Sequence, residues 1–584
     1  MLNNPAANLF ADRLWKDLQD VLDRLNEAQS VWLIDYLAAK SEGRDVIQPA
    51  SHKANVLIAY GSETGNSERL ARQLGSQAER DGIQAQVTTL ADVRLRQLLK
   101  YQYLFVICST HGDGDPPQPI SAFYNALMEE EAIDLRQLNY AVLALGDSTY
   151  EHFCATGKRI DERLSALHAE RLLPRVDCDV DYAAAAQKWM DTSLKAVPRD
   201  KNVLGHHLSL SHYSVSQQAT RKAYSRQQPL VVEVLENLRL SATHRPNSVH
   251  HLAVAVDASD FSIEPGDAVG VLVENPPALV AAVLDAANLP GEQAVLVDNQ
   301  AMPLVQALRE TRDLTIPGQR LLESWAQLAN NDQLKEVLAA DHKIQRDFLR
   351  THQIIDVISQ YPATPDPQNF VDSLRPLQPR LYDLANSQRY IGDELHLTVQ
   401  QYRYSFLNRV ELGIASDYLL NIQPGESMRI YPHANPRFRL PEAQDAPLIL
   451  IADGTGIAPY RSFLQELRAT QIARPCWLVF SEQEFEEDFL YQLDWQQAHA
   501  DGLLSHVDTV FYADQPWRSL ADPLLEQAKR FTEWLEKGAH LYLCGDRTRL
   551  TQCEHSLKFW LGETHRAELW EQINNSKRIH RNLY

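Results

Sequence analysis

Residues 53–68 read K-A-N-V-L-I-A-Y-G-S-E-T-G-N-S-E. An apolar run at 56–60 feeds the turn Ser62-Glu63-Thr64-Gly65-Asn66, and a helical pattern opens at Glu68. A buried parallel strand ending in a hydroxyl-rich turn at a helix N-terminus makes an anion site: backbone N–H groups point outward, the helix dipole favours negative charge, and hydroxyls add donors. The same residue types also serve as plain helix caps, so the turn alone does not separate the two readings. Two further stretches do. Ser109-Thr110-His111-Gly112-Asp113-Gly114-Asp115 follows the apolar run 103–108, and Leu145-Gly146-Asp147-Ser148-Thr149-Tyr150-Glu151-His152-Phe153-Cys154 follows the run 140–144. Three loops at the carboxyl ends of apolar strands predict a doubly wound α/β sheet that binds its ligand along that edge.

These loops, with T-H-G-D-G-D-P-P, L-G-D-S-T-Y-E-H-F-C and E-R-L-L-P-R-V-D-C-D-V-D-Y, resemble the flavodoxin-like FMN domain of the diflavin reductases. The similarity is greatest to the branch of the NADPH sulfite reductase flavoprotein (alpha) subunits. The resemblance implies that Ser62, Glu63, Thr64, Gly65 and Asn66 hold the FMN phosphate. It places Ser109, Thr110, His111, Gly112 and Gly114 in the second FMN loop. Leu145, Gly146, Asp147, Tyr150, Phe153 and Cys154 fall in the third, with Tyr150 stacked on the isoalloxazine ring. His111 stands where relatives carry Tyr or Gln, which leaves the second stacking partner open.

At 584 residues the chain is too long for one core, so several domains are expected. No apolar run approaches the roughly 20 residues that span a bilayer. Residues 1–11 lack a basic region followed by an apolar stretch, which predicts no secretory signal. Six scattered cysteines without a C-x-x-C argue against a disulfide framework or a zinc site; no metal is expected, and a reducing cytoplasm is. The net charge of −21 disfavours nucleic acid. It suits docking to a basic redox partner and equally an ordinary soluble protein.

A multidomain α/β chain follows from the pattern. Residues 1–50 carry an N-terminal helical segment that resembles the piece preceding the FMN domain in the sulfite reductase branch, where it offers a route to homo-oligomers. The flavodoxin-like unit spans 54–192, and a polar, His-rich linker spans 193–225; His206, His207 and His212 have no metal-ligand spacing. Alternating β pattern begins after Pro229 and includes Pro265-Gly266-Asp267, a turn that introduces the apolar strand 268–273. Residues 226–443 read as a β-barrel with a helical insert at about 277–375 and β pattern resuming at 380–384 and 394–404, and 444–584 as a second doubly wound unit with strands at 448–452, 476–480, 506–511 and 540–544. By resemblance these two form a ferredoxin–NADP-reductase-like module: an FAD-binding barrel plus an NADP-binding-like domain.

Arg380-Leu381-Tyr382 resembles the R-x-Y-S motif of that superfamily, whose Arg bonds the FAD pyrophosphate and whose Tyr covers the flavin. Gly413-Ile414-Ala415-Ser416 resembles the second FAD motif, Thr398 lies on the strand beside the cofactor, and Tyr584 matches the aromatic that shields the flavin. Asp383 replaces the Ser that relatives place near flavin N5. An Asp there is expected to lower the flavin potential or the hydride rate unless protonated or turned away.

The run 448–459 ends in Ala452-Asp453-Gly454-Thr455-Gly456-Ile457-Ala458-Pro459, where relatives read G-P-G-T-G-I-A-P. The Gly-rich turn admits a dinucleotide diphosphate. Cys544-Gly545-Asp546 matches the family's C-G-D, whose Cys lies near the nicotinamide. Departures cluster here. Asp453 brings a carboxylate to the diphosphate, unfavourable unless a cation or proton intervenes. The positions that read the 2′-phosphate become Tyr512-Ala513, Arg518 and Leu520, and the acidic residue near the C-terminus becomes Asn582.

The resemblance therefore implies an enzyme: an NADPH-dependent diflavin oxidoreductase passing hydride to FAD and single electrons through FMN to a haem or iron–sulfur partner, such as a sulfite reductase haemoprotein subunit. Cys544, Asp383 and Asn582 are the catalytic candidates, and Gly454, Thr455, Gly456 and Arg518 the dinucleotide contacts. Asp113, Asp115 and Glu151 are candidate docking residues at the FMN edge. Two alternatives remain open: a flavoprotein relay or scaffold with impaired nicotinamide use, and a reductase for a P450-like haem protein.

Overall fold

A computed structural model describes residues 55–63, 65–111, 114–130, 132–148, 150, 152–197, 224–340, 342–406 and 409–584. The N-terminal helical segment, His206, His207, His212 and most of the linker lie outside the described residues, as do Thr64, Gly112, Asp113, Thr149 and Glu151.

The first unit is a parallel sheet of β1 (Val56–Gly61), β2 (Ala85–Thr89), β3 (Tyr103–Ser109), β4 (Asn139–Leu145), β5 (Glu170–Arg171) and β6 (Val176–Cys178). Its order is β2-β1-β3-β4-β5, with β6 also on β4. Side chains alternate across it. Val56, Ile58, Phe105 and Ile107 pack with the helices Asn66–Arg80 and Ala183–Ala196. Leu57, Ala59, Leu104 and Val106 pack with Ser121–Glu129 and Ala155–Ala166. Helices on both faces explain why these strands are continuously apolar. The strand order reverses between β1 and β3, so the crevice at their carboxyl ends is the ligand edge. The first helix opens at Asn66 rather than Glu68, because left-handed Gly65 (φ 79°) lets its carbonyl accept from Arg69 N–H at 2.9 Å.

The second unit is antiparallel: β7 (Leu230–Arg239), β8 (Val249–Ala255), β9 (Ala268–Leu272), β12 (Arg380–Asp383), β13 (Glu394–Gln400) and β16 (Ser427–His433). Their order is β12-β9-β16-β7-β8-β13, and a bridge between Leu384 and Leu397 joins the two outer strands into a barrel. Between β9 and β12 run seven helices from Pro277–Ala286 to Pro367–Ser373, with their own core around Trp325, whose indole N–H donates to the Tyr361 carbonyl at 2.8 Å. The expected all-helical insert also contains a hairpin, β10 (Ala294–Val297) with β11 (Gln300–Pro303). The strand expected over 394–404 stops at Gln400: Tyr402 N–H leaves the ladder for Ser416 Oγ at 3.0 Å, and β14 (Arg403–Phe406) pairs with β15 (Arg409–Leu412) instead.

The third unit is parallel, in the order β19-β18-β17-β20-β21. Its strands are β17 (Leu448–Asp453), β18 (Cys476–Glu482), β19 (His506–Phe511), β20 (His540–Gly545) and β21 (Ile579–Leu583). The order reverses between β17 and β20, which sets a second ligand crevice beside the Gly454–Gly456 turn. Strand β21 was not among the expected strands; its pairing with β20 places Asn582 in register with Cys544.

Candidate active site

At the first crevice, Ser62 Oγ is buried and has no hydrogen-bond partner among the described residues. Beside it the helix Asn66–Arg80 opens without a side-chain cap. A buried hydroxyl lacking an acceptor and uncapped backbone N–H groups fit a phosphate. The neighbouring loops are tied together: Ser109 Oγ donates to the Gly61 carbonyl at 3.2 Å, and Thr110 N–H to the Leu145 carbonyl at 2.9 Å. His111 and Asp115 exchange backbone hydrogen bonds, which folds the second loop back and leaves the Asp115 side chain exposed. The His111 ring is bonded to the Glu63 carboxylate through Nδ1. That bond occupies the residue for which a stacking role was left open. Tyr150 keeps 50 % of its surface exposed, as a ring that covers a flavin requires. Leu145 and Cys154 are buried beneath this loop with Phe153 half-buried, and Asn66 Oδ1 accepts from Tyr182 Oη at 2.8 Å. Asp147 reaches the second unit, where Arg375 pairs with it at 2.6 Å.

On the barrel, Arg380 is exposed and its guanidinium has no hydrogen-bond or ion-pair partner among the described residues. Gly413 precedes the helix Ile414–Asn421, again without a side-chain cap, and Ser416 Oγ donates back to the Gly413 carbonyl at 3.0 Å. Ile414 and Ala415 anchor this helix against the barrel core. An exposed cation and a bare helix N-terminus fit a diphosphate, that of FAD. Thr398 lies on β13, where its hydroxyl is engaged with Tyr491 Oη at 2.7 Å, at the seam between the barrel and the third unit.

Where these two units meet, four residues converge. Asn582 Nδ2 donates to Asp383 Oδ2 at 2.8 Å, and Cys544 Sγ lies 3.7 Å from the same oxygen and 3.6 Å from Asn582 Nδ2. Burial raises the Asp383 carboxyl to about 6, although Asn582 and Cys544 pull it down. The carboxyl is thus turned onto Asn582 and Cys544, and it takes up a proton just below neutrality. Burial pushes the Cys544 thiol far up, so it stays protonated. Tyr584, 52 % exposed, spans the cluster: its N–H donates to the Gly545 carbonyl, and its hydroxyl meets Thr455 Oγ1, each at 3.1 Å. The close approach of the two turns needs glycine, since a Cβ on Gly456 would sit 2.0 Å from the Cys544 carbonyl oxygen.

A cavity of about 330 Å³ opens beside this cluster, lined by Gly454, Thr455 and Tyr584 together with Asp453, Glu482, Asp488, Asp546, Arg245 and Arg549. Asp453 is not left bare. Ser481 Oγ donates to it at 2.6 Å, Arg549 binds it at 3.1 Å and 3.3 Å, and Arg549 lies 4.3 Å over the Tyr512 ring. Burial raises the Asp453 carboxyl while Ser481 and Arg549 lower it. The intervening cation that the sequence called for is therefore Arg549. Arg518 lies apart: it pairs with Glu526 at 2.6 Å and does not line the cavity. Leu520 is buried in the core of the third unit. Arg549 and Arg245 escaped the sequence reading, whereas Glu482 lies in the stretch Ser481-Glu482-Gln483-Glu484-Phe485, which departs from the family's G-N-x-x-F. Arg549 stands in the first turn after Cys544-Gly545-Asp546 and was findable there; Arg245 comes from a loop before β8 with no local signal.

Three family models match in this order: Flavodoxin over residues 58–189, FAD binding domain over 222–418, and Oxidoreductase NAD-binding domain over 450–555. The chain is 36% identical over 558 residues to the sulfite reductase (NADPH) flavoprotein alpha-component of Bacillus subtilis (strain 168), covering 92% of this chain and 91% of the relative. It is 35% identical over 585 residues to the protein of that name from Shewanella sp. (strain MR-4), covering 97% of each. It is 33% identical over 595 residues to that of Vibrio cholerae serotype O1 (strain El Tor Inaba N16961), covering 99% of this chain and 97% of the relative. Flavin-type crevices on the first two units, a dinucleotide-type crevice on the third, and similarity running through all of them agree: the chain belongs to the family of sulfite reductase flavoprotein alpha-components.

Proposed function

We propose that this chain is an NADPH-dependent diflavin oxidoreductase that passes electrons through FAD and FMN to a haem or iron–sulfur protein, of the kind a sulfite reductase haemoprotein subunit represents. The observation that carries it is the convergence of Asp383 from the barrel with Cys544, Asn582 and Tyr584 from the third unit, on the same strand as the unpartnered Arg380. Bound flavins supply the conversion between a two-electron hydride donor and one-electron delivery. The protein's own residues do the rest. Arg380 and the Gly413 turn hold one diphosphate; Ser62, Gly65 and Asn66 hold a phosphate on the first unit. Tyr584 covers the reactive face and must yield to a nicotinamide ring. Cys544 keeps a proton beside that face, the Asp383 carboxyl takes one up only below neutrality, and Asn582 fixes that carboxyl in place. Asp147–Arg375 holds the first unit against the second.

The same reading divides the chain into domains at 54–192, 226–443 and 444–584, and assigns oligomer formation to residues 1–50. No helix among the described residues is long and apolar enough to cross a membrane. The six cysteines are all free and buried, which supports a reducing, cytoplasmic setting. A second reading, a relay with impaired nicotinamide use, is favoured by one observation: Arg518 is held by Glu526, away from the cavity.

The test is electron delivery. The purified chain, mixed anaerobically with NADPH and a sirohaem-type acceptor, should reduce the haem. Removing FMN alone should stop haem reduction while NADPH still bleaches the FAD band. Haem reduction that survives FMN removal would contradict the order of carriers.

A further inference from the structure

One buried acid in the third-unit cavity has no part in the reading above. Glu482 ends β18 with 7 % of its surface exposed, and a Cβ placed on Gly454 would lie 3.7 Å from its Oε1. The carboxyl therefore sits directly against the glycine turn over which a diphosphate must pass.

Its surroundings are acidic. Asp453 faces it from β17 and Asp488 from the helix Phe485–Asp488; Arg549 opposes the first and Arg245 the second. Asp546 and Tyr584 also line the cavity, and Tyr512, just after β19, reaches Asp453 at 3.4 Å. The cations present are committed elsewhere. Arg549 binds Asp453, and Arg245 binds Asp488 at 2.9 Å and Glu484 at 3.0 Å, with Glu487 at 3.6 Å. Asp546 accepts from the Arg549 backbone N–H at 2.9 Å. The Glu482 carboxyl has no ion pair among the described residues; the backbone N–H of Gln483 donates to it, and the Glu482 carbonyl accepts from Tyr512 N–H at 2.9 Å.

An ionised Glu482 and a dinucleotide diphosphate would place like charges together in a poorly solvated pocket with no free cation between them. A protonated Glu482 removes that repulsion and turns the carboxyl into a donor. We propose that Glu482 must carry a proton for an anionic nicotinamide dinucleotide to occupy the cavity, so that dinucleotide binding takes up a proton. This rests on the assignment of the cavity to the dinucleotide. Burial first, then Asp453 and Asp488, raise the Glu482 carboxyl to about 7, so the coupling falls in the physiological range. By linkage, a bound dinucleotide tightens the hold of Glu482 on its proton.

The test uses the full, flavin-loaded chain and NADP⁺, titrated calorimetrically from pH 7 to 8.5 in two buffers of different ionisation heat. The ligand's 2′-phosphate, with a second pKa of about 6, stays ionised across that range. The dissociation constant should rise about tenfold over it, with net proton uptake on binding. In Glu482→Gln the dissociation constant should stay within about twofold, and binding at pH 8.5 should be tighter than in the parent chain. Proton-independent binding to the parent chain, which needs no variant to observe, would overturn the coupling, as would an unchanged slope in Glu482→Gln. Absence of NADP⁺ binding at every pH would instead overturn the assignment of the cavity, and the inference with it.

Discussion

The two ligand crevices on the doubly wound units solve one problem in opposite ways. At the carboxyl end of β1, the anion site is local: Ser62, Gly65 and the first turn of the helix Asn66–Arg80 come from a single short stretch, and Ser62 Oγ has no partner among the described residues. At the carboxyl end of β17, the glycine turn is kept but surrounded by Asp453, Glu482, Asp488 and Asp546, with Arg245 and Arg549 imported from distant segments. A site built from one stretch is legible from that stretch. A site balanced by charges from afar shows its liabilities in sequence and hides their compensation.

The sharpest way to break this contrast is Arg549→Ala. It leaves the buried Asp453 carboxylate without its half-exposed cation, and losing a hydrogen-bond partner of a charged group typically costs about 1.5–3 kcal/mol. Chemical denaturation at pH 7.5 should show a loss of that order, and the double variant Asp453→Ser with Arg549→Ala should recover most of it. A loss that persists in the double variant would assign the role of Arg549 to its stacking on Tyr512 instead.

Asp383→Asn comes next. The folded-state pKa of about 6 lies above the ordinary carboxyl value of 3.8, so the folded chain binds more protons than the unfolded one between those values. Stability from this group is therefore lost as pH rises through that window and stays lost above it, by on the order of 2 kcal/mol. The Asn variant should melt higher than the parent at pH 7.5 and nearly alike at pH 4, read as a melting-temperature difference against pH. An equal gain at both ends would show that the carboxyl is not the source.

On the other crevice, Ser62→Ala should weaken FMN binding about tenfold, the value of one or two hydrogen bonds to a charged phosphate, and leave FAD content unchanged. Fluorescence titration of the FMN-stripped chain measures it. A smaller effect is expected from Arg375→Ala. Loss of the Asp147 pair should loosen the first unit against the second by about 1–2 kcal/mol, visible as faster proteolysis between them with flavin content intact. Unchanged proteolysis would mean that other contacts hold the units together.

Much of the fold was open to inspection because its strands are buried on both faces and so read as unbroken apolar runs, as at 56–60 and 448–452. What failed was set by tertiary partners. The extended strand past Gln400 gave way because Ser416 offered Tyr402 a better acceptor, and the hairpin Ala294–Pro303 hid within helical periodicity. Strand β21 was missed because Ile579-His580-Arg581-Asn582-Leu583 is barely apolar; it is a strand only because β20 provides an open edge. The same pairing brings Asn582 to Cys544, which no local pattern could show. Cys544, Asp383 and Tyr584 were found through motif resemblance, and their mutual contact only through the structure. Arg518 illustrates the limit of alignment position alone: Glu526 holds its guanidinium at 2.6 Å, away from the residues that line the cavity.

The central claim is that the third-unit cavity, acidic as it is, still serves a nicotinamide donor. Anaerobic rapid mixing of the flavin-quantified chain with NADPH, then NADH, against a dithionite control tests it most directly. The account expects NADPH to bleach the flavin bands within the mixing experiment, faster at pH 6.5 than at pH 8.5. Bleaching by dithionite alone would contradict it: the carboxylates around Gly454 would then exclude the dinucleotide, and the chain would take its electrons from another donor.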